Sequence, residues 1–270
     1  MFCDRVLQQH ISFASMWMAA SRLKMNSDKS EIIWVGTRHT VSVHPHPPIW
    51  IGRDTISSTD KVRLLGVLIS ADLTFDQHVT AVSGQCFHQL RQLRSVRQSL
   101  DTASIMTLIH AFISSRVDYC CSLLIGSPRS VTDKLQRVLN AAARVITNTG
   151  KYDTGLSNIL HNDLHWLDVT ERIRFRVAGT VYQCLHGRAP MYLTELCFPI
   201  AASASRRGRL RSASSDDLVI PRYRLLTYGS RAFSVAGPIC CNSLPDYLKS
   251  SDMSFDCFRR QLKTLLFCQY

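Results

Sequence analysis

Over the first 23 residues, Val6, Leu7, Ile11, Ala14 and Met18 recur at helical spacing, which predicts a helix through Trp17 to Leu23. Asn26, Ser27 and Asp28 supply a stop and turn. The pattern then changes to extended chain. "EIIWVG" (31–36) reads as a strand, the proline-rich "HPHPP" (44–48) as a loop, "IWIGRDTI" (49–56) as a hairpin across a glycine turn, and "VRLLGVLI" (62–69) as a buried strand. Residues 1–72 are therefore expected to form a helix leaning on a small sheet.

From Phe75 the apolar period becomes 3.6. Residues 76–98 bring Val79, Val82, Phe87, Leu90, Leu93 and Val96 near one face. Asp101 or Thr102 caps a second helix with Ile105, Leu108, Ile109 and Phe112 inward, and a third spans 131–147 on Leu135, Val138, Leu139, Ala142 and Ile146. Residues 73–150 thus read as a helical bundle.

Residues 151–270 are α-rich as well. A helix from Thr170 to Leu185 ends at "HGRAP", with Gly187 as its cap and Pro190 blocking continuation. The small, polar and basic "AASASRRGRLRSASS" (201–215) is linker chemistry, and "LVIPRYRLLTYG" follows as short strand-like or irregular pieces. A last helix starts near Ser254, with Phe255, Phe258, Leu262 and Leu265 on one side and Arg259 and Lys263 on the other. No internal repeat with a period of about 20 to 50 residues is visible. The fold class expected is mainly α with a small β element.

Composition supports a folded chain, since 46% of the 270 residues are apolar. Charge narrows the partners. Lys and Arg number 32 against 20 Asp and Glu, a formal charge of +12 that favours polyanions, nucleic acid before an anionic membrane surface. The longest strongly apolar run, Ile105 to Ile113, contains His110 and is too short to span a bilayer. Asp4 and Arg5 interrupt any apolar leader, so the ten cysteines read as intracellular free thiols.

Little chemistry is legible. There is no C-x-x-C, the pairs Cys120-Cys121 and Cys240-Cys241 are adjacent, and His161 and His165 stand at i, i+4 without a third ligand, so they read as a hydrogen-bonded structural pair. Asp216-Asp217 is flanked by serines and reads as a solvated loop, not a two-metal site. No nucleophile elbow, phosphate-cradling glycine loop or H-E-x-x-H occurs, so no catalytic residue is assigned.

Cations are the better candidates. Arg91, Arg94 and Arg97 recur every three residues in a stretch from Gln77 to Leu100 without an acid, and such a stripe either tracks a nucleic-acid backbone or is an ordinary solvated helix face. Arg206, Arg207, Arg209 and Arg211 in "RRGRLR" add four charges, with an incidental basic linker or a localisation patch as the competing reading. Phe255, Phe258 and Trp166 read as core, not as base-stacking platforms.

Nine segments in order carry a resemblance: "WMAASRLKMNSDKSEIIWVG", "VRLLGVLISADLTFDQHV", "SSRVDYCCSLLIG", "LQRVLNAAARVIT", "LHWLDVTERIRF", "CLHGRAPMYL", "LRSASSDDLVIPR", "TYGSRAFSVAGPICCNSLPDYL" and "FRRQLKTLLF". Together they resemble the C-terminal part of the reverse transcriptases of jockey-like, LINE-class non-LTR retrotransposons. The resemblance implies that residues 1–36 close the polymerase palm, with Lys29 in its turn. Leu65 and Gly66 of "LLG" would then lie in a primer-grip hairpin, the helices from about 75 to 147 would be a thumb holding template and primer, and the rest a C-terminal extension.

In that family the metal-binding aspartates, the fingers and an endonuclease domain lie upstream of the tryptophan-containing helix. The resemblance therefore implies a chain without catalytic or metal-binding residues, the family's Mg2+ being held at positions outside it, and at most non-sequence-specific binding of RNA or RNA-DNA duplex. A protein covering the palm edge (Ile11, Trp17, Ile33, Trp34) is the other expected partner; no membrane is. A different class of reading is a non-binding interaction fragment or an unstable product of a relic transposon gene. Cys241, Asp168 and Cys121 depart from the Trp, Pro and Asn usual in the family, which puts the packing of the C-terminal extension in question.

Overall fold

The computed structural model describes residues 2–36, 48–150, 152–200, 217–225, 228–249 and 253–270. It is mainly α with two small antiparallel sheets, as the periodicity predicts. The chain divides into two compact units, 1–78 and 79–270.

In the first unit, helix α1 (Phe2–Ala20) ends earlier than expected. Arg22 turns into the left-handed region (φ 58°), so that Leu23 N donates to Met18 O (2.7 Å) and Arg22 N to Ala19 O (3.0 Å). These are the two bonds of a Schellman ending, with arginine where glycine is usual. Asn26 caps not a loop but a 3-10 turn, Ser27–Lys29, by accepting from Asp28 N (3.0 Å).

The expected strand at "EIIWVG" is not formed. Only Ile32 bridges there, to Ser58, with Thr59 N donating to Ile32 O (2.8 Å). Strands β1 (Ile49–Ile51) and β2 (Asp54–Ile56) make the expected hairpin, with Gly52 at φ 63° in its two-residue turn. Of "HPHPP" only Pro48 lies within the described residues.

The single strand expected at "VRLLGVLI" is instead a second hairpin, β3 (Lys61–Leu64) and β4 (Val67–Ser70), in register Leu64↔Val67. Leu65 and Gly66 both take positive φ (47° and 85°), the I′ pattern whose twist matches that of the strands. One glycine inside an apolar run broke it in two.

The second unit is helical. Helix α2 (Asp76–Val96) buries Val79, Cys86, Leu90 and Leu93, while Phe87 and Val96, expected inward, are exposed. Asp101 caps helix α3 (Thr102–Ile109) by accepting from Ser104 N (3.1 Å), and these bonds hold its carboxyl below the usual range. A π-helical turn, His110–Ser114, then leads into α4 (Ser115–Asp118). The wider turn advances the buried stripe by one residue. Ile105, Ile109, Ile113 and Val117 point inward, and Phe112, expected there, is exposed.

Helix α5 (Arg129–Thr147) buries all five expected residues. After a short helix α6 (Leu156–Asn158) and a π turn (Ile159–Asp163), helix α7 (Val169–Leu185) crosses the unit, packed on α5 and on the Cys121–Leu124 turn. Its end is the expected one: Gly187 at φ 63°, with Arg188 N bonded to Gln183 O (2.8 Å) and Gly187 N to Cys184 O (3.3 Å).

The remaining helices are α8 (Met191–Thr194), α9 (Phe233–Asn242), α10 (Asp246–Lys249) and α11 (Phe255–Phe267). Both α9 and α11 pack on α7. Ser254 caps α11 as expected, with Phe258, Leu262 and Leu266 buried and Leu265 at the margin.

Two of the residues that depart from the resembled pattern, Asp168 and Cys241, are accommodated. Asp168 accepts from Gln136 Nε2 (2.8 Å) while Gln136 Oε1 takes Val169 N (2.9 Å), a reciprocal pair across the start of α7. Cys241 joins Cys184 and Cys197 in an apolar cluster with Val181 and Leu218. Asn242 reaches back from α9 to pair with both backbone groups of Leu218 (2.8 and 2.9 Å).

Candidate nucleic-acid interface

Helix α2 positions the predicted arginine stripe, and the stripe does not act as one. Arg91 and Arg94 project to solvent, and neither side chain has a hydrogen bond or ion pair among the described residues. Arg97 belongs to a different task. Its Nε donates to Val145 O (2.9 Å), Nη2 to Ile146 O (2.8 Å) and Nη1 to Leu100 O (2.9 Å).

Val145 and Ile146 lie in the last turn of α5, where carbonyls have no intrahelical partner and the helix dipole is negative. The Arg97 guanidinium answers both needs. Position 97 stands where α2 has already ended, so its side chain turns inward to α5 instead of following Arg94.

What replaces the stripe is a groove of about 480 Å3 between the ends of α2 and α5, lined by Arg94, Gln98, Arg144, Asn148 and Thr149, with Arg97 at its wall. Arg144 was missed by sequence reasoning because it follows three alanines on a helix judged by its apolar face. A signal existed: it is the basic residue of that helix's last turn. The groove offers Arg94 and Arg144 as cations and Asn148 and Thr149 as neutral donors, a set suited to phosphate oxygens.

The other predicted residues lie elsewhere. Lys29 is exposed in the Asn26-capped turn, and Leu65 and Gly66 form the tip of the β3–β4 hairpin, with Leu65 82% exposed. Within β4, Leu68 N donates to His78 Nδ1 (3.4 Å); burial, with Arg63 nearby, lowers the His78 pKa and keeps that nitrogen an acceptor. Arg206, Arg207, Arg209 and Arg211 lie outside the described residues.

His161 is buried, its Nδ1 against Trp166 O (3.0 Å) and its ring stacked on Tyr270 at 3.6 Å, and His165 Nδ1 meets His161 O (3.2 Å). The pair ties the chain before α7 to the C-terminus. Trp166 is core, with the Arg172 guanidinium 5.8 Å above its ring, and Phe258 is core too, whereas Phe255 is half-buried.

The solvated-loop reading of Asp216-Asp217 needs correction at its second residue. Asp217 accepts from Lys249 Nζ (2.8 Å), whose side chain is only 7% exposed. Burial alone would lower the Lys249 pKa; the bonds and charges of Asp217 and Asp246 outweigh it and raise it. Asp216 lies outside the described residues. No helix among the described residues is long and apolar enough to cross a membrane.

Two proteins of Drosophila melanogaster are similar to this chain. One is a probable RNA-directed DNA polymerase from transposon X-element, 25% identical over 162 residues, covering 59% of this chain and 17% of that protein. The other is a probable RNA-directed DNA polymerase from transposon BS, 27% identical over 176 residues, covering 63% of this chain and 18% of its own length. No family model and no solved structure matches. The similarity relates the chain to transposon RNA-directed DNA polymerases. It spans less than a fifth of the length of these curated relatives.

Proposed function

We propose that this chain is the strand-holding part of a jockey-like, non-LTR retrotransposon reverse transcriptase, its helices from 75 to 147 serving as thumb and its β3–β4 hairpin as primer grip. It binds RNA or RNA-DNA duplex without sequence preference and carries no catalytic or metal-binding residue of its own. One observation supports this most: Arg94 and Arg144, from two helices, line one groove with unneutralised charge. A helix face merely kept soluble has no need of converging cations from a neighbouring helix.

With Arg91 added, about three phosphates would be neutralised, so the logarithm of the binding constant should fall with the logarithm of salt at a slope of about −2 to −4. Anisotropy titrations of a labelled RNA-DNA duplex against the chain measure it. Arg94→Glu with Arg144→Glu should weaken every sequence alike and flatten the slope. Salt-independent binding, or an unchanged slope in that variant, rejects the groove.

A second reading, an apolar docking surface, is favoured by α1, where Phe13, Met16 and Trp17 are 63 to 69% exposed. It does not exclude the first. In the family resembled here this face meets the remainder of the palm, which is the partner proposed.

A further inference from the structure

Helix α11 carries charge and a groove of its own. Arg259, Arg260 and Lys263 project from its exposed side and make no ion pair among the described residues, although Asp256 stands one turn upstream. The Arg259 guanidinium lies 6.0 Å from the Phe175 ring and 5.6 Å from the Phe255 ring, and Lys263 Nζ lies 5.5 Å from that of Phe267. Ring faces hold a cation in place without neutralising it, so these charges remain available to an outside anion.

Arg260 also borders a groove of about 500 Å3, with Gln261, Thr264 and Leu265 along the same wall and Tyr247 opposite on α10. Tyr247 is 54% exposed, whereas the Gln261 carboxamide lies within the wall, its Nε2 donating to Cys257 Sγ (3.5 Å) and its Oε1 buried. Around the helix, the order is Arg259, Lys263, Arg260, then Thr264 and Gln261, so the row of cations passes directly into the groove.

We propose that this face binds single-stranded nucleic acid, with backbone phosphates along Arg259, Arg260 and Lys263 and one unstacked base turned into the groove beside Tyr247. The proposal rests on the nucleic-acid reading above for its class of ligand and on separate residues for its site. An aromatic edge next to a cation row suits an unpaired base, because every base has a π face and a duplex hides it. An anionic lipid surface would use the cations and leave the groove idle.

The test is anisotropy of the full chain with labelled single-stranded RNA and DNA of about 12 nucleotides and with RNA-DNA duplex. Tyr247→Ala should lower single-strand affinity about 5- to 30-fold and leave duplex affinity unchanged, with Tyr247→Phe restoring it. Arg259→Glu with Lys263→Glu should weaken single-strand binding about 10-fold or more. Circular dichroism confirms that each variant is folded.

If both variants bind single strands like the parent while Arg94→Glu with Arg144→Glu loses duplex, this second site is wrong and the first stands. If the first groove fails and the Tyr247 effect remains, the reverse holds. Tight binding to phosphatidylserine vesicles, indifferent to Tyr247→Ala and stronger than binding to RNA, overturns the proposal in favour of a lipid surface.

Discussion

Three arginines at the same sequence spacing, Arg91, Arg94 and Arg97, have different fates, and the difference is one of position relative to a helix end. A charge run tells where cations are, not which backbone groups wait for them. Arg97 supplies two donors to carbonyls that would otherwise be unmet at the close of α5 and a third to Leu100 O. Arg97→Ala should therefore destabilise the helical unit by about 2 to 3 kcal/mol, since bonds to a charged donor are the stronger kind. Arg97→Lys should recover only part, because one ammonium cannot reproduce a planar fork of donors. Arg91→Ala should change stability by less than about 0.5 kcal/mol. Urea unfolding of the three variants separates them; equal losses at 91 and 97 would mean that the clasp at the end of α5 contributes nothing.

At the scale of elements, the helices were more legible than the turns. Five apolar positions of α5 at strict spacing settled its buried face, and Gly187 followed by Pro190 settled the end of α7. Two misreadings share one cause, a local change of geometry inside a continuous apolar pattern: the π turn at His110–Ser114 shifts the stripe of α3, and Leu65-Gly66 folds a strand into a hairpin. The hairpin tip bears on the proposed primer grip. Leu65 holds a positive φ that a leucine adopts at a cost, while asparagine followed by glycine is the preferred I′ pair. Leu65→Asn should thus stabilise the hairpin by about 1 kcal/mol. If the tip grips a primer through its exposed side chain, the same substitution should weaken duplex binding despite the gain in stability; a variant both more stable and equally tight would remove Leu65 from the interface.

On the scale of the whole molecule, composition pointed to polyanions, and the arrangement supplies detail that composition lacks, since several arginines are spent internally. Arg172 pairs with Asp118 (2.9 Å) and Arg97 with carbonyls, whereas Arg94 on α2, Arg144 on α5 and Arg259 on α11 make no ion pair among the described residues. The cysteines follow the same logic of burial. Burial pushes the Cys86 and Cys121 thiols up to about 11 and that of Cys197 up to about 12, from 9.0. Between pH 9 and 11 the folded chain keeps these protons and the unfolded chain gives them up, so the native state binds more protons and its stability falls as pH rises. Each fully buried thiol should cost roughly 2 kcal/mol across that window. Lys249, its pKa also raised, adds a loss of the same sign once pH passes through its folded value. Urea midpoints should then be level from pH 7 to 8 and drop steeply by pH 10.5. Replacing Cys86 and Cys121 by alanine should make the drop shallower while lowering the plateau through lost packing. A parallel drop in parent and variant would show that the thiols stay protonated in both states and that alkaline sensitivity has another source.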